Sequence, residues 1–279
     1  MTIWQADFYK LPRDNAPVPR WELVVCDEQG SIITTATCPQ TEASVPWLIE
    51  TLSPLLDEAP PQKIQVFRPQ SLALMEPTAQ RLQIPLEATR KTTALKRVLA
   101  QRRGGDVSLE QPPPQPLPGA LWGENWRFAS LPAGDLLAVF CDRPLPILQI
   151  PDGLDPLALG LPSTAPIPGI IIEGGRRSMM LARWLEEVQP VAVNYVATEA
   201  GVSGGLVLEA GLVDRWILVT FEDREVAAAA ELYQQRLVSS QGVHFLLVQP
   251  DNTGITYTGF WVLSHPITDR AGRIPEGSE

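Results

Sequence analysis

Short apolar runs separated by polar, Pro- or Gly-containing segments mark the first 40 residues, and this pattern is typical of β-strands. Aromatic and branched residues dominate three runs there, at residues 4–9, 21–26 and 31–37. Between the last two runs, Asp27-Glu28-Gln29-Gly30 predicts a hairpin turn in which Gly30 takes a positive φ. The chain therefore opens with three predicted antiparallel strands.

From residue 44 the period changes, and apolar positions recur every three or four residues between short apolar runs. Helices are predicted from Ser44, over 71–83 and over 93–103, and strands over 64–67 and 86–89. The third helix has a predicted apolar face formed by Ala94, Leu95, Val98 and Leu99. The order βββ-α-β-α-β-α is the ribonuclease-H-like arrangement, so this part is predicted to be an α/β domain of that strand order.

A second α/β domain is predicted after a segment that holds Gly104-Gly105 and five prolines. The predicted divisions are an N-terminal domain 1–104, a Pro-rich linker 105–118, a C-terminal domain 119–268 and a tail 269–279. In the second domain, strands are predicted over 126–130, 135–140, 145–150, 169–173, 191–197, 205–210, 215–221, 243–248 and 259–263, and helices over 176–188 and 225–238. Both domains should have mixed sheets.

An apolar strand, an arginine-bearing turn and an amphipathic helix follow one another at residues 64–83 and again at 170–188. Two interpretations stay open: the second domain is a repeat related to the first, or it is an unrelated α/β domain in which the same order occurs.

Composition limits the classes of protein to which the chain can belong. The 279 residues are 44% hydrophobic, carry a net charge of −10, and include three cysteines and two histidines. The cysteine spacing matches no zinc motif and fits a reducing compartment, so no metal and no cofactor are predicted. The N-terminus has neither secretory-signal nor transit-peptide features, and no apolar run reaches 18 residues. A cytoplasmic protein without a membrane span is predicted.

Charge is distributed unevenly along the chain. Residues 63–103 hold nine Lys or Arg and two acidic residues, a local charge of +7 within an acidic protein. A basic segment of this kind favours an anionic partner, and nucleic-acid phosphate is the commonest large one. The turns at Arg68 and at Arg176-Arg177 also precede predicted helices, whose N-termini attract phosphate. The predicted RNA-binding residues are Arg68, Arg90, Lys91, Lys96, Arg97, Arg102, Arg103, Arg176 and Arg177. The alternative is an ordinary solvated set of surface cations.

The sequence favours neither of two enzymatic alternatives. Residues 201–205 match the GxSxG pattern, with Asp214 and His244 downstream, but β-like sequence follows where a nucleophile elbow requires a helix. Asp7 and Glu50 could supply two carboxylates of a two-metal nuclease. The fourth strand, however, ends at Arg68, whose charge would repel a metal. No catalytic residue is predicted.

Short motifs in a fixed order resemble one family. They are Trp4-Gln5-Ala6-Asp7-Phe8-Tyr9, Trp21-Glu22-Leu23, Phe67-Arg68-Pro69-Gln70, Thr89-Arg90-Lys91-Thr92 with Ala94-Leu95, Leu117-Pro118 and Leu121-Trp122-Gly123-Glu124-Asn125-Trp126, Ile167-Pro168-Gly169, Arg215-Trp216, Val243-His244-Phe245-Leu246 and Gly259-Phe260-Trp261. Together they resemble the TAB/ATAB family, the RNA-binding translation activators of chloroplasts and their cyanobacterial relatives. Lys91 replaces the second arginine of the family's Thr-Arg-Arg-Thr motif.

The resemblance implies a non-catalytic RNA-binding protein that acts in photosystem biogenesis. Its implied partners are the 5′ untranslated region of a photosystem I core message and other translation or assembly factors. Because no transit peptide is recognised, the resemblance implies a cyanobacterial-type member. The alternative function is a protein-interaction scaffold for photosystem assembly, which would use the apolar, Pro-rich stretch 154–168.

Overall fold

The computed structural model describes residues 2–11, 18–58, 60–103, 111–141, 143–151 and 153–265, without the side chains of Glu58 and Arg103. All structural statements below concern these residues. The chain divides into two compact units, Met1–Gln111 and Pro112–Glu279. Part of the predicted linker and all of the predicted tail lie outside the described residues.

The first unit is a five-stranded mixed sheet with three helices. The strands are β1 Ile3–Lys10, β2 Arg20–Cys26, β3 Ile32–Pro39, β4 Lys63–Val66 and β5 Leu86–Ala88, and the helices are α1 Val45–Glu58, α2 Pro69–Arg81 and α3 Thr93–Arg103. The strand order is β3-β2-β1-β4-β5. The first three strands pair antiparallel, and β4 and β5 run parallel to β1. The predicted α/β class and ribonuclease-H-like strand order are confirmed.

Strand alternation gives this sheet two buried faces. On one face, Trp4, Ala6 and Phe8 of β1 pack with apolar residues of α1 and α2. On the other face, Val24 and Cys26 of β2 pack with Phe67 and with Leu95, Val98 and Leu99 of α3. The apolar face predicted for α3 is therefore confirmed. Gln5 and Asp7, which alternate with the apolar residues of β1, point to the α3 side.

The β2–β3 hairpin has the predicted turn. The Asp27 carboxylate accepts hydrogen bonds from the backbone N–H groups of Gln29 and Ser31, at 3.0 and 2.8 Å. These bonds lower the pKa of Asp27, although partial desolvation opposes them. Gly30 has a φ of 93°, a conformation that glycine adopts without steric cost.

The second unit contains two sheets. Its strands are β6 Gln115–Pro116, β7 Asn125–Pro132, β8 Ile147–Gln149, β9 Pro166–Glu173, β10 Pro190–Glu199, β11 Ser203–Ala210, β12 Asp214–Glu222, β13 Val243–Gln249 and β14 Gly259–Ser264. Its helices are α4 Ala133–Leu136, α5 Ala138–Cys141, α6 Ser178–Val188 and α7 Arg224–Ser239. One sheet has the order β10-β11-β12-β6 and the other β7-β9-β13-β14-β8.

One predicted strand of this unit is wrong. Residues 135–140 belong to the short helices α4 and α5. Ala133, Leu136 and Phe140 are buried at spacings of three and four residues, which matches a helical period better than an alternating one.

The two segments with a shared pattern, residues 64–83 and 170–188, have the same strand–turn–helix order in the structure. β9 is followed by α6 as β4 is followed by α2. The neighbours differ. β4 lies between two parallel strands, whereas β9 lies between the antiparallel β7 and the parallel β13. The sheet topology of the second unit is thus not that of the first, and it gives the repeat interpretation no support.

Candidate nucleic-acid interface

The first unit gathers cationic residues at one sheet edge. The carboxyl ends of β4 and β5 lead directly into Phe67-Arg68 and into Thr89-Arg90-Lys91, and α3 begins just after the second of these segments. Because β4 and β5 are parallel, the two segments emerge at the same edge. Lys96 Nζ donates to the backbone carbonyl of Arg90 at 2.9 Å and lies 5.3 Å from the centre of the Phe67 ring.

Arg68 does not belong to the accessible part of this edge. It is 5% exposed, and its Nε donates to Asp7 Oδ1 at 3.0 Å while Nη2 lies 3.5 Å from Oδ2. Ser71 Oγ donates to the same carboxylate at 3.1 Å, and the guanidinium carbon lies 4.1 Å from the centre of the Tyr9 ring. The sequence predicts a surface arginine at this position. The structure instead uses its charge to neutralise a buried aspartate.

The same ion pair bears on the nuclease alternative. Asp7 is fully buried and bound by Arg68 and Ser71, whereas Glu50 of α1 is exposed. Arg68 also occupies the strand end where a nuclease would require a further carboxylate. In the described parts of the chain, no group of three or more His, Cys, Asp or Glu side chains could hold a metal ion.

Four neighbouring cations, which we call the α3 surface, remain at this edge: Arg90, Lys91, Lys96 and Arg97. Lys91 and Arg97 are exposed, and Arg90 and Lys96 are half-buried. Burial lowers the pKa of Lys96 to about 8, and the nearby Arg90 charge contributes. A lysine with this pKa is half protonated at about pH 8 and largely protonated at pH 7, so the cationic character of the α3 surface depends on pH.

The other cations of the basic segment differ in their partners. Arg102 Nη2 lies 2.6 Å from Glu22 Oε1, and Lys63 Nζ lies 2.6 Å from Glu87 Oε2. The side chain of Arg103 is outside the described residues. The pKa of Glu87 is lowered by a hydrogen bond from Gln65, then by Lys63, with a smaller contribution from Lys91. Arg102 therefore contributes less free charge than the sequence suggests.

A row of amides, which the sequence analysis did not single out, positions the α3 surface. Gln5 Nε2 donates to Gln65 Oε1 at 3.2 Å, and Gln65 Nε2 donates to Glu87 Oε2 at 3.0 Å. Gln5 Oε1 accepts from the backbone N–H of Leu95 at 3.0 Å, and this bond satisfies a donor in the first turn of α3. The sequence signal was available: Gln5 is a polar residue at a buried position of an alternating strand.

The second unit presents Arg176 and Arg177 on a short 3₁₀ turn, Gly175–Arg177, just before α6. Both side chains are exposed. The backbone N–H groups of Gly174 and Gly175 donate to the carbonyls of Gln249 and Pro250, each at 2.9 Å, so the turn is tied to the end of β13. Gly175 has a φ of 53°. A Cβ on Gly174 would lie 2.6 Å from the Cα of Ser178, so no side chain fits there.

His244 and Ser203 do not form a hydrolase site. Ser203 begins β11 in the β10–β11 hairpin, which agrees with the β-like sequence after the GxSxG match. His244 is fully buried; its Nε2 accepts from the Val193 backbone N–H at 2.9 Å, and its Nδ1 lies 2.8 Å from the Gly242 carbonyl. Burial lowers the pKa of His244 to about 4, which the Gly242 bond opposes and His265 reinforces. Since both ring nitrogens bond the backbone, the side chain is structural.

Comparison with known families decides the affiliation of the chain. A sequence model described as "RNA-binding protein Tab2/Atab2 N terminal" matches residues 3–102, and one described as "RNA-binding protein Tab2/Atab2, C-terminal domain" matches residues 105–264. The chain belongs to the Tab2/Atab2 family. The family resemblance noted in the sequence is therefore confirmed.

Two curated Tab2/Atab2 relatives match almost the whole chain. The "Protein TAB2 homolog, chloroplastic" of Arabidopsis thaliana is 28% identical over 280 residues, which covers 93% of this chain and 74% of the relative. The protein of the same name from Zea mays is 26% identical over 285 residues, covering 93% and 70%. Both relatives are chloroplastic by name.

Solved structures give weaker matches. The catalytic domain of the Mos1 mariner transposase covers 37% of this chain and 59% of its own, with 14% identity and a TM-score of 0.27. The HTLV-2 integrase catalytic core domain in complex with magnesium, in its trimeric form, covers 37% of this chain and 64% of its own, with 10% identity and a TM-score of 0.26.

Among the described residues of this chain, no helix has the length and apolar character needed to cross a membrane.

Proposed function

We propose that this protein binds single-stranded RNA through the α3 surface, with Arg176 and Arg177 as a second contact, and that it acts in the translation of photosystem messages. The observation that carries the proposal is the α3 surface itself: four cations within residues 90–97 of a protein whose net charge is −10. Lys91, Lys96 and Arg97 form no ion pair with any described residue, so their charges remain available to phosphate.

The proposed biological role goes further than phosphate contact. The Tab2/Atab2 models describe RNA-binding proteins, and both curated relatives are named as chloroplastic TAB2 homologs. We therefore propose the 5′ untranslated region of a photosystem I core message as the target, with other translation or assembly factors as partners. In a cell of the cyanobacterial type this translation takes place in the cytoplasm, which is where we place the protein.

We further propose that the protein is not an enzyme. Asp7 is held by Arg68, and His244 is held by backbone groups on both ring nitrogens. Neither residue is available for acid–base or metal chemistry in this arrangement. Incubation of labelled RNA with the protein and Mg²⁺ or Mn²⁺ should leave the RNA intact. Cleavage that Asp7→Asn abolishes would contradict this part of the proposal.

A salt titration of RNA affinity tests the α3 surface. Fluorescence anisotropy of a labelled single-stranded RNA should give an affinity that falls log-linearly with salt, and Arg97→Ala should reduce the slope by about 0.7 for the lost phosphate contact. Arg81→Ala is the matched control, because Arg81 is an exposed arginine on α2, which packs on the opposite face of the same sheet. Equal slopes for the two variants would contradict the assignment of the α3 surface.

Target choice needs its own experiment. The 5′ untranslated region of a photosystem I core message should bind more tightly than a shuffled RNA of equal length and composition at the same salt concentration. Because phosphate contacts do not read sequence, this preference should survive Arg97→Ala even though overall affinity falls. Identical affinities for the two RNAs would remove the photosystem message from the proposal and leave general RNA binding.

One observation favours a second candidate, the protein-interaction scaffold. Leu157 and Leu159 lie in the Pro-rich stretch 154–168 and are 48% and 37% exposed. Exposed leucines close together suit an apolar protein contact. If salt-dependent RNA binding is absent while Leu157→Ser and Leu159→Ser abolish recovery of photosystem assembly factors with the tagged protein, the scaffold becomes the better explanation.

A further inference from the structure

The second unit contains a cavity of about 320 Å³. Its lining includes Leu117, Trp122, Gly123, Asn125 and Thr220 together with apolar residues of β9, β11 and β12. Trp122 and Asn125 are exposed, so the cavity opens to solvent beside them. The walls are mostly apolar, and Asn125 and Thr220 supply hydrogen-bonding side chains. This volume lies at the small end of the range for ligand sites, which suits one planar group rather than a large ligand.

Trp122 is unusual for an aromatic residue, since its side chain is both exposed and held in place. The residue is 59% exposed, and its Nε1 donates to the backbone carbonyl of Leu117 at 2.8 Å. Leu117 belongs to the same cavity wall. A large indole left in water gives up most of the stabilisation that burial would provide. An indole fixed at the entrance of an apolar cavity offers a preorganised surface on which a second ring can stack.

The turn that carries Arg176 and Arg177 lies beside this entrance. The backbone N–H of Glu124 donates to the Glu173 carbonyl at 2.7 Å, and a Cβ on Gly175 would overlap the Glu124 carboxylate. The turn that carries Arg176 and Arg177 therefore abuts the residue between Gly123 and Asn125 of the cavity lining. The same region also holds carboxylates, and Glu173 Oε1 lies 3.8 Å from Arg127 Nε. Arg176 and Arg177 make no ion pair with a described residue.

A planar aromatic group joined to a phosphate is the ligand that this combination fits. The indole and the apolar walls suit the faces of a base, Asn125 and Thr220 suit its polar edge, and the arginines suit the phosphate. A purely apolar ligand would make no use of the neighbouring cations.

We propose that the cavity receives one base of single-stranded RNA, which stacks on Trp122 while Arg176 and Arg177 hold the adjacent phosphate. This inference rests on the proposed RNA-binding function and adds to it a place where a base, rather than phosphate alone, is contacted. Stacking of this kind binds single strands with little sequence preference of its own, so Asn125 and Thr220 would supply any choice of base.

The first test uses mononucleotides, because a single nucleotide needs only the cavity and not the α3 surface. The full chain is titrated with AMP, GMP, CMP and UMP while indole N–H signals are followed by two-dimensional NMR. The eight tryptophans give few signals, and the Trp122 signal is identified by its loss in Trp122→Ala. A saturable shift of the Trp122 signal with at least one nucleotide is expected. If no nucleotide shifts it, or if an apolar dye binds there and no nucleotide displaces it, the proposal is overturned.

The second test uses a single-stranded RNA oligonucleotide. Trp122→Ala should weaken binding by about 5- to 150-fold, the range for one stacked base, and should leave the salt slope unchanged. Trp122→Phe keeps a ring and should retain most of the affinity, while Ile255→Ala, at an 82% exposed site of the same unit, should change nothing. Unchanged affinity in Trp122→Ala would overturn the inference but not RNA binding. Nucleotide binding without RNA binding would support the cavity and contradict the proposed function.

Discussion

Two strand–turn–helix segments of this protein share a sequence pattern and differ in whether their arginines are buried or exposed. Arg68 follows β4 and precedes α2, and Arg176-Arg177 follow β9 and precede α6. Arg68 is 5% exposed and bound to Asp7, whereas Arg176 and Arg177 are exposed on a turn anchored to β13. A turn pattern therefore does not decide whether an arginine binds an external anion. The decision depends on whether a neighbouring strand supplies a buried carboxylate.

The difference also separates two uses of charge. In the first unit Asp7 is fully buried, and the Arg68 guanidinium pairs with its carboxylate in the interior. In the second unit the turn contacts the Gln249 and Pro250 carbonyls and lies against the Glu124 carboxylate, while the side chains of Arg176 and Arg177 stay exposed. The first arrangement stabilises the fold, and the second leaves a cationic surface. The predictions below test this contrast.

The largest effect is expected at the buried arginine. Arg68→Ala should lower the free energy of unfolding of the first unit by about 3–5 kcal/mol, because it removes the guanidinium that pairs with the buried Asp7 carboxylate. Arg177→Ala should change the free energy of unfolding of the second unit by less than about 0.5 kcal/mol. Urea denaturation followed by tryptophan fluorescence measures both. A double variant, Asp7→Leu with Arg68→Met, removes both charges and should recover much of the loss. Equal costs for the two arginines would contradict the contrast.

Lowering the pH should reduce the stability of the second unit through β13, the strand to which the Arg176-Arg177 turn is hydrogen-bonded. β13 carries His244, whose pKa is lowered from its usual 6.5 to about 4 by burial. The folded protein keeps this side chain neutral, while the unfolded chain takes up a proton below about pH 6.5. The resulting stability is complete above pH 6.5 and is lost as the pH falls to about 4, a loss of about 3 kcal/mol.

Urea denaturation between pH 7.5 and 4.5 measures this loss, and the imidazole signals of the two histidines provide a direct control by NMR. His244 should show constant chemical shifts between pH 8 and 5. A titration of His244 with a midpoint near 6.5 would contradict the assignment of a neutral, backbone-bonded histidine.

The glycine that anchors the exposed turn should be intolerant of a side chain. Gly174→Ala places a Cβ 2.6 Å from the Cα of Ser178, so the backbone at the start of α6 must shift. We expect a loss of about 1–3 kcal/mol, the usual cost of crowding a packed site. Gly119→Ala is the control, because a Cβ there meets nothing within 4 Å. If thermal denaturation shows equal stability for both variants, the turn is looser than its hydrogen bonds indicate.

Much of this architecture was predictable because it depends on local periodicity. The aromatic residues of β1 predicted its strand, and the apolar positions of α3 predicted the face that packs on β2. The Asp7–Arg68 pair was not predictable in this way, since the two residues are 61 positions apart and meet only when β1 and β4 pair. The strand predicted for residues 135–140 was wrong because a buried helix of one or two turns is too short to show a helical period in its sequence. Gln5 and Trp122 were missed because the functional meaning of a polar or aromatic residue depends on its burial.

The smallest effect is expected in the pH dependence of RNA affinity. Lys96 of the α3 surface can lose its charge as the pH rises above about 8, whereas the arginines of the second unit cannot. Burial lowers the pKa of Lys96 to about 8, whereas arginine stays protonated throughout the accessible range. RNA affinity should therefore weaken a few-fold as the pH rises from 7 to 9 at constant ionic strength. Lys96→Arg should remove that dependence, and Lys91→Arg should leave it in place. A pH dependence that survives Lys96→Arg would show that another group titrates at the RNA site.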